Sequence, residues 1–205
     1  MSKAFEVVRG IQVAKLEGIE EGYCEEKTKD YYRLTINVSA QNIDNVFTSL
    51  CKMVRNPGFL LLEFGTNAAV EKQLRKSDTD PLHIDIHYLD GLNNESFLEI
   101  YQQYKELLVH DGMINFGFGS HHGMDEIYVG KYKIFTIYTD EVQKYYDTLS
   151  LLGIPRVEEL KTVWNNISEI TPGRRSRIIH NGMDIYQMVE LLTEKGLYFA
   201  ERRED

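Results

Sequence analysis

At 205 residues, with 42% apolar and 27% charged side chains, the chain can fill one core and is too hydrophobic for a disordered segment, so 1–205 reads as a single domain. Its net charge of −9 equals the surplus between Ser77 and Gly130, where ten acids accompany one base, Lys105; that disfavours nucleic acid and favours a basic protein or a cation. Cys24 and Cys51 are far apart and read as reduced thiols of a cytoplasmic protein, no apolar leader opens the chain, and the longest apolar run, Phe59 to Leu62, is too short to span a membrane.

Residues 11–30 show no clear period, and Glu20, Glu21, Glu25 and Glu26 mark a polar excursion that reads as a loop. Tyr32, Leu34, Ile36 and Val38 alternate as a half-buried strand does. Ile43, Val46, Phe47, Leu50, Met53 and Val54 share a helical face, which the turn signal Asn56-Pro57-Gly58 closes. The strand that follows stops at Phe64-Gly65-Thr66. The same order then returns. Leu82, Ile84, Ile86 and Tyr88 alternate; Phe97, Ile100, Tyr101, Tyr104, Leu107 and Leu108 form a helical face; Asp111-Gly112 turns the chain; and a strand stops at Phe118-Gly119-Ser120. Helix and glycine positions match at a constant interval of 54 residues. Apolar spacing alone would be shared by any two such units, so the matched glycines are what favours a repeat of 31–66 in 82–120.

Ile127-Tyr128-Val129 and Tyr132-Lys133-Ile134 flank Gly130-Lys131, which predicts a hairpin with a two-residue turn and a second strand reaching Tyr138. Thr139 reads as the cap of a helix with Val142, Tyr145, Leu149 and Leu152 inward and Gly153 as its stop. Pro155 opens a further expected helix carrying Val157, Leu160, Trp164 and Ile167. A last helix holds Ile185, Met188, Val189 and Leu192, ends at Gly196 and leads to a short strand through Leu197, Tyr198 and Phe199. Together these predict an α+β fold: a ferredoxin-like, duplicated strand-helix-strand sheet, mixed or antiparallel, with helices mainly on one face and a C-terminal helical extension over 139–205. A doubly wound parallel sheet is disfavoured, because its strands would be continuously apolar rather than alternating.

The acidic middle also holds five of the six histidines. His83, Asp85 and His87 share one strand face, with Ile84, Ile86 and Tyr88 expected on the core side; two imidazoles and a carboxylate so spaced can ligate zinc or another divalent transition metal. The plainer reading is the polar outer face of a half-buried sheet. Ser120, His121, His122, Asp125 and Glu126 form a second group, in a loop where Gly119 and Gly123 permit backbone angles closed to other residues. If 82–89 and 113–119 run the same way, His87 and Asp90 emerge beside Ser120, His121 and His122. The first copy's Gly65-Thr66-Asn67 has no histidine, which places function in the second copy. Phosphate-loop, nucleophile-elbow and zinc-protease motifs are absent. Arg174, Arg175 and Arg177 could bind an anion or pair with the acidic centre.

The expectation is therefore a binding protein without enzymatic activity or cofactor, of the toxin-immunity or inhibitor type. It would dock Asp85, Asp90, Ser120, His121, His122, Asp125 and Glu126 on a basic protein partner. The alternatives are a metal-dependent hydrolase using His83, Asp85 and His87 with His121 or His122, and an oligomeric structural component whose acidic stretch is plain surface.

Overall fold

Alternating and helical spacings resolve, in chain order, into β1 Ile11–Gln12, β2 Gly22–Lys27, β3 Tyr32–Asn37, α1 Ile43–Cys51, β4 Gly58–Gly65, α2 Ala68–Leu74, β5 His83–Leu92, α3 Asn94–His110, β6 Ile114–Ser120, β7 Glu126–Val129, β8 Phe135–Thr139, α4 Gln143–Leu151, β9 Arg174–Arg175, α5 Ile185–Thr193 and β10 Tyr198–Glu204. The structure is a computed structural model and describes residues 4–205. It is an α+β fold with a large antiparallel sheet, ordered β10-β5-β4-β6-β7-β8-β3-β2; β1 and β9 pair separately. Since β5 and β6 both pair antiparallel with β4, they run the same way, and α3 connects them across one face. A crossover through α1, past the three strands β6, β7 and β8, joins β3 to β4.

The apolar faces of α1, α3, α4 and α5 bury against that same side of the sheet. Leu34, Ile36, Leu60, Leu62, Phe116, Phe118, Ile127, Phe135 and Ile137 rise to meet them. Phe97 stacks on Phe118 at 4.0 Å between ring centroids, and Phe47 lies 4.9 Å from both Tyr101 and Phe116. Such rings bury much area for few rotatable bonds, so they anchor the core. Local chemistry delimits the helices: Asn93 and Asp184 build capping boxes on α3 and α5, and Gly153 and Gly196 stop α4 and α5 at positive φ.

Several elements depart from the sequence reading. Residues 22–27, read as loop, form an edge strand that satisfies the free backbone of β3. The β7–β8 turn is not a two-residue Gly130-Lys131 hairpin but runs from Gly130 to Ile134, with Tyr132 and Lys133 both at φ 60°. The cause is Lys133, whose buried ammonium donates to Leu108 O at 2.9 Å and Ile114 O at 2.8 Å and so draws the turn under the end of α3. Burial pushes that ammonium down to about 7, against the pull of Asp111.

No helix starts at Pro155. That segment instead runs beside β2, with Tyr23 donating to Pro155 O and Val157 to Tyr23 O, and its only later helical turn, Val163–Asn166, leaves Trp164 49% exposed against Tyr132. Helix α2 was illegible because it buries only Glu71 and therefore has no apolar stripe. Thr139 caps the turn into α4 rather than the helix itself, accepting from the Glu141 N–H. The extension ends as β10, paired with β5. Among the described residues, no helix is long and apolar enough to cross a membrane.

Candidate protein-binding face

Strand register decides which side chains share a face. Leu62 pairs with His87 and Phe64 with Asp85, and both β4 residues point into the core. His83, Asp85 and His87 therefore lie on the helix side, and Ile84, Ile86 and Tyr88 on the other, the reverse of expectation. Partners make this possible. Arg202 on β10 binds Asp85 through Nε at 2.6 Å and Nη2 at 2.9 Å, and the Thr66 hydroxyl donates to it at 2.6 Å. Burial opposes the Asp85 charge, but these bonds and the Arg202 field hold its carboxyl below the usual range. His83 Nδ1 lies 3.0 Å from Glu71 Oε2. His87 stacks on Phe64 at 5.1 Å and meets the edge of Phe199, and burial pushes its imidazole pKa down. The three side chains serve three different partners, and among the described residues no group of three or more His, Cys, Asp or Glu is placed to hold a metal ion.

Asp125 is also interior. Lys144 Nζ at 2.6 Å, Arg55 Nε at 3.0 Å and the Thr139 hydroxyl at 2.8 Å bind it. Burial disfavours its charge, yet these contacts keep its carboxyl below the ordinary range. The cations that neutralise the two buried aspartates are thus Arg202, Arg55 and Lys144 rather than Arg174, Arg175 and Arg177.

The remaining expected residues do meet at one end of the sheet, because β5 and β6 run the same way. His121 Nε2 is 3.1 Å from Asp90 Oδ1, and Tyr198 donates to Asp90 Oδ2 at 2.8 Å. The His121 ring also lies 5.1 Å from Phe59. Buried Ser120 shapes the turn by exchanging hydrogen bonds with the His122 backbone, which leaves the His122 side chain exposed. Gly123 sits at φ 99°, where a Cβ would strike the Arg55 guanidinium. Gly119 is instead a strand residue whose missing side chain admits the Phe59 ring.

Asp90 and Glu126 belong to a larger surface. Among the described residues, none of the five helices packs on the second face of the sheet. Register places Phe59, Leu61 and Glu63 of β4 there, with Ile86 and Tyr88, Tyr198 and Glu201, Glu126 and Tyr128, and Tyr138 on its neighbours. Leu61 and Ile86 are only 5% and 2% exposed although no helix covers them. Lys131 on the β7–β8 turn bonds Asp205 beyond β10 at 2.8 Å, with three strands between. The sheet is therefore strongly curled.

On this face Tyr128 crosses β6 beside Gly117, which has no side chain in the way, and its hydroxyl donates to Glu63 on β4. Asn115 donates to the same carboxylate at 3.4 Å. Burial, then the Glu63 charge, push the Glu126 carboxyl above the usual range. Neither glutamate makes an ion pair among the described residues; Arg203 is taken by Glu201 and Arg33 by Glu26. The sequence reading missed Glu63 and the tyrosines. Their signal was one acid inside the apolar run 59–64, and glycines alternating at 117 and 119 beside a strand that alternates Glu126 and Tyr128.

Comparison with known proteins finds no matching family model, no similar curated protein and no similar solved structure.

Proposed function

We propose that the chain is a binding protein that sets this open, acidic, tyrosine-rich face on a basic protein partner and neutralises it, as inhibitors and toxin-immunity proteins do. The observation that carries the reading is the Glu63 and Glu126 pair, two half-buried carboxylates neither of which makes an ion pair among the described residues. A lysine or arginine from a partner relieves both their repulsion and their lost hydration. Phe59, Tyr88, Tyr128, Tyr138 and Tyr198 supply large, stiff contact area around them, the residue type enriched at protein interfaces. Asp90, His121 and His122 extend the face at one rim. Free Cys24 and Cys51 support a cytoplasmic setting. The units β3-α1-β4 and β5-α3-β6, with core-facing Phe64 and Phe118 at matched positions, support reading the framework as a ferredoxin-like duplication.

Affinity capture with the wild type and with Glu63→Lys/Asp90→Lys/Glu126→Lys tests the reading. The wild type is expected to retain a basic protein, block its activity and bind it more slowly as salt rises. The variant should associate at least about tenfold more slowly while still melting cooperatively. Equal association by the two proteins removes the proposal.

A further inference from the structure

The end of β4 remote from the His121 corner carries the opposite charge. A cavity of 530 Å³ opens there, lined by Thr66, Lys72, Arg75, Lys76, Arg177 and Tyr186. Two of its cations are fixed by neutral acceptors. Arg75 donates through Nε to Asp80 O at 2.9 Å and through Nη2 to Asp78 O. Arg177 donates through Nη2 to Gly65 O at 3.0 Å and to the Tyr186 hydroxyl at 2.7 Å, and its guanidinium lies 4.5 Å from the Tyr186 ring centre.

None of the four cations makes an ion pair among the described residues. Of the two acids that also line the cavity, Glu71 is engaged by the backbone and ring of His83, and Asp78 is an exposed loop residue. Arg177 Nη1, shielded from solvent, has no hydrogen-bond partner among the described residues. A partly buried guanidinium without a counter-charge is unfavourable, and its planar fork matches the oxygens of a phosphate. In a chain of net charge −9, a pocket with twice as many cations as acids is a local reversal of sign.

We infer that this cavity binds a small phosphate-bearing molecule, with Arg75 and Arg177 as fixed forks and Lys72 and Lys76 as mobile point charges. Its volume exceeds what a phosphate group needs and lies in the range of small-molecule sites, so Tyr186 and Leu82 are left to contact an organic moiety. The site is separate from the acidic face and does not depend on it.

Calorimetric titration of the full chain with inorganic pyrophosphate, at constant ionic strength, tests the inference, with sulfate and chloride as controls. Saturable binding and a raised melting temperature are expected for pyrophosphate. Lys72→Gln/Lys76→Gln, at two exposed positions, should weaken binding about tenfold without loss of folding, and Arg177→Lys should weaken it while keeping the charge. Should Arg177→Lys fail to fold, the lysine variant decides alone. No binding to the wild type, equal binding by the wild type and the lysine variant, or an effect of chloride equal to that of pyrophosphate would each overturn the inference. The open-face triple variant should bind pyrophosphate as the wild type does, so the two proposals fail independently.

Discussion

The covered face and the open face of the sheet both carry carboxylates and aromatic rings, and they treat them in opposite ways. On the covered side Asp85 meets Arg202, Asp125 meets Arg55 and Lys144, and Lys133 caps two carbonyls. The rings there are mostly phenylalanines, packed edge and face into one another. On the open side Glu63 accepts only from the neutral donors Asn115 and Tyr128, neither Glu63 nor Glu126 makes an ion pair among the described residues, and most rings are tyrosines. An unmatched charge is tolerable only where water or a partner can reach it, so the imbalance collects on the face that no helix covers.

The comparison can be broken at three depths. Phe47→Ala removes the ring at the centre of the covered side and should cost about 3–5 kcal/mol in urea denaturation; a loss no greater than that of Tyr88→Ala on the open face would mean that the faces do not differ in packing. Asp125→Asn should cost about 2 kcal/mol near neutral pH, because it removes the buried charge that Arg55 and Lys144 both bind and leaves them only their outer partners Asp140 and Glu141. The Asp125 carboxyl is depressed in the folded state, so its contribution is present above the unfolded carboxylate range, near ~4, and is lost as pH falls through the folded value. The gap between wild type and variant should therefore close in acid, and a gap that stays constant from neutral to strongly acidic pH would contradict the ion-pair assignment.

Glu126→Gln should act in the other direction. Its carboxyl is raised, so the stability associated with the protonated form is present below the unfolded value and lost as pH rises through the folded one. Near neutral pH the variant should melt higher, by an equivalent of up to about 1 kcal/mol, and the gain should vanish well below pH ~4, where the glutamate is neutral in both the folded and the unfolded chain. A lower melting temperature for Glu126→Gln would show that Glu126 has a stabilising partner and that the open face is not short of cations.

How far the sequence reaches follows from the range of the interactions involved. Helices α1, α3 and α5, their stops, and the α+β class with helices on one side of a sheet were legible, since 3.6- and 2-residue periods and turn residues act within a few positions. The meeting of Asp90 with His121 was legible too, from the direction of two strands joined by one helix. The inward turn of His83, Asp85 and His87 was not. Alternation shows that the two faces of β5 differ, but Ile84, Ile86 and Tyr88 look more like a core than the face that became one. Arg202, 117 residues away, and Phe64 on the neighbouring strand let the polar face be the one that packs under the helices. Likewise Asp125 reads as surface acid until Arg55, 70 residues earlier, and Lys144 close around it. Local periodicity fixes which residues lie together along an element; only the tertiary fold supplies the distant counter-charges that decide which of them can afford to leave water.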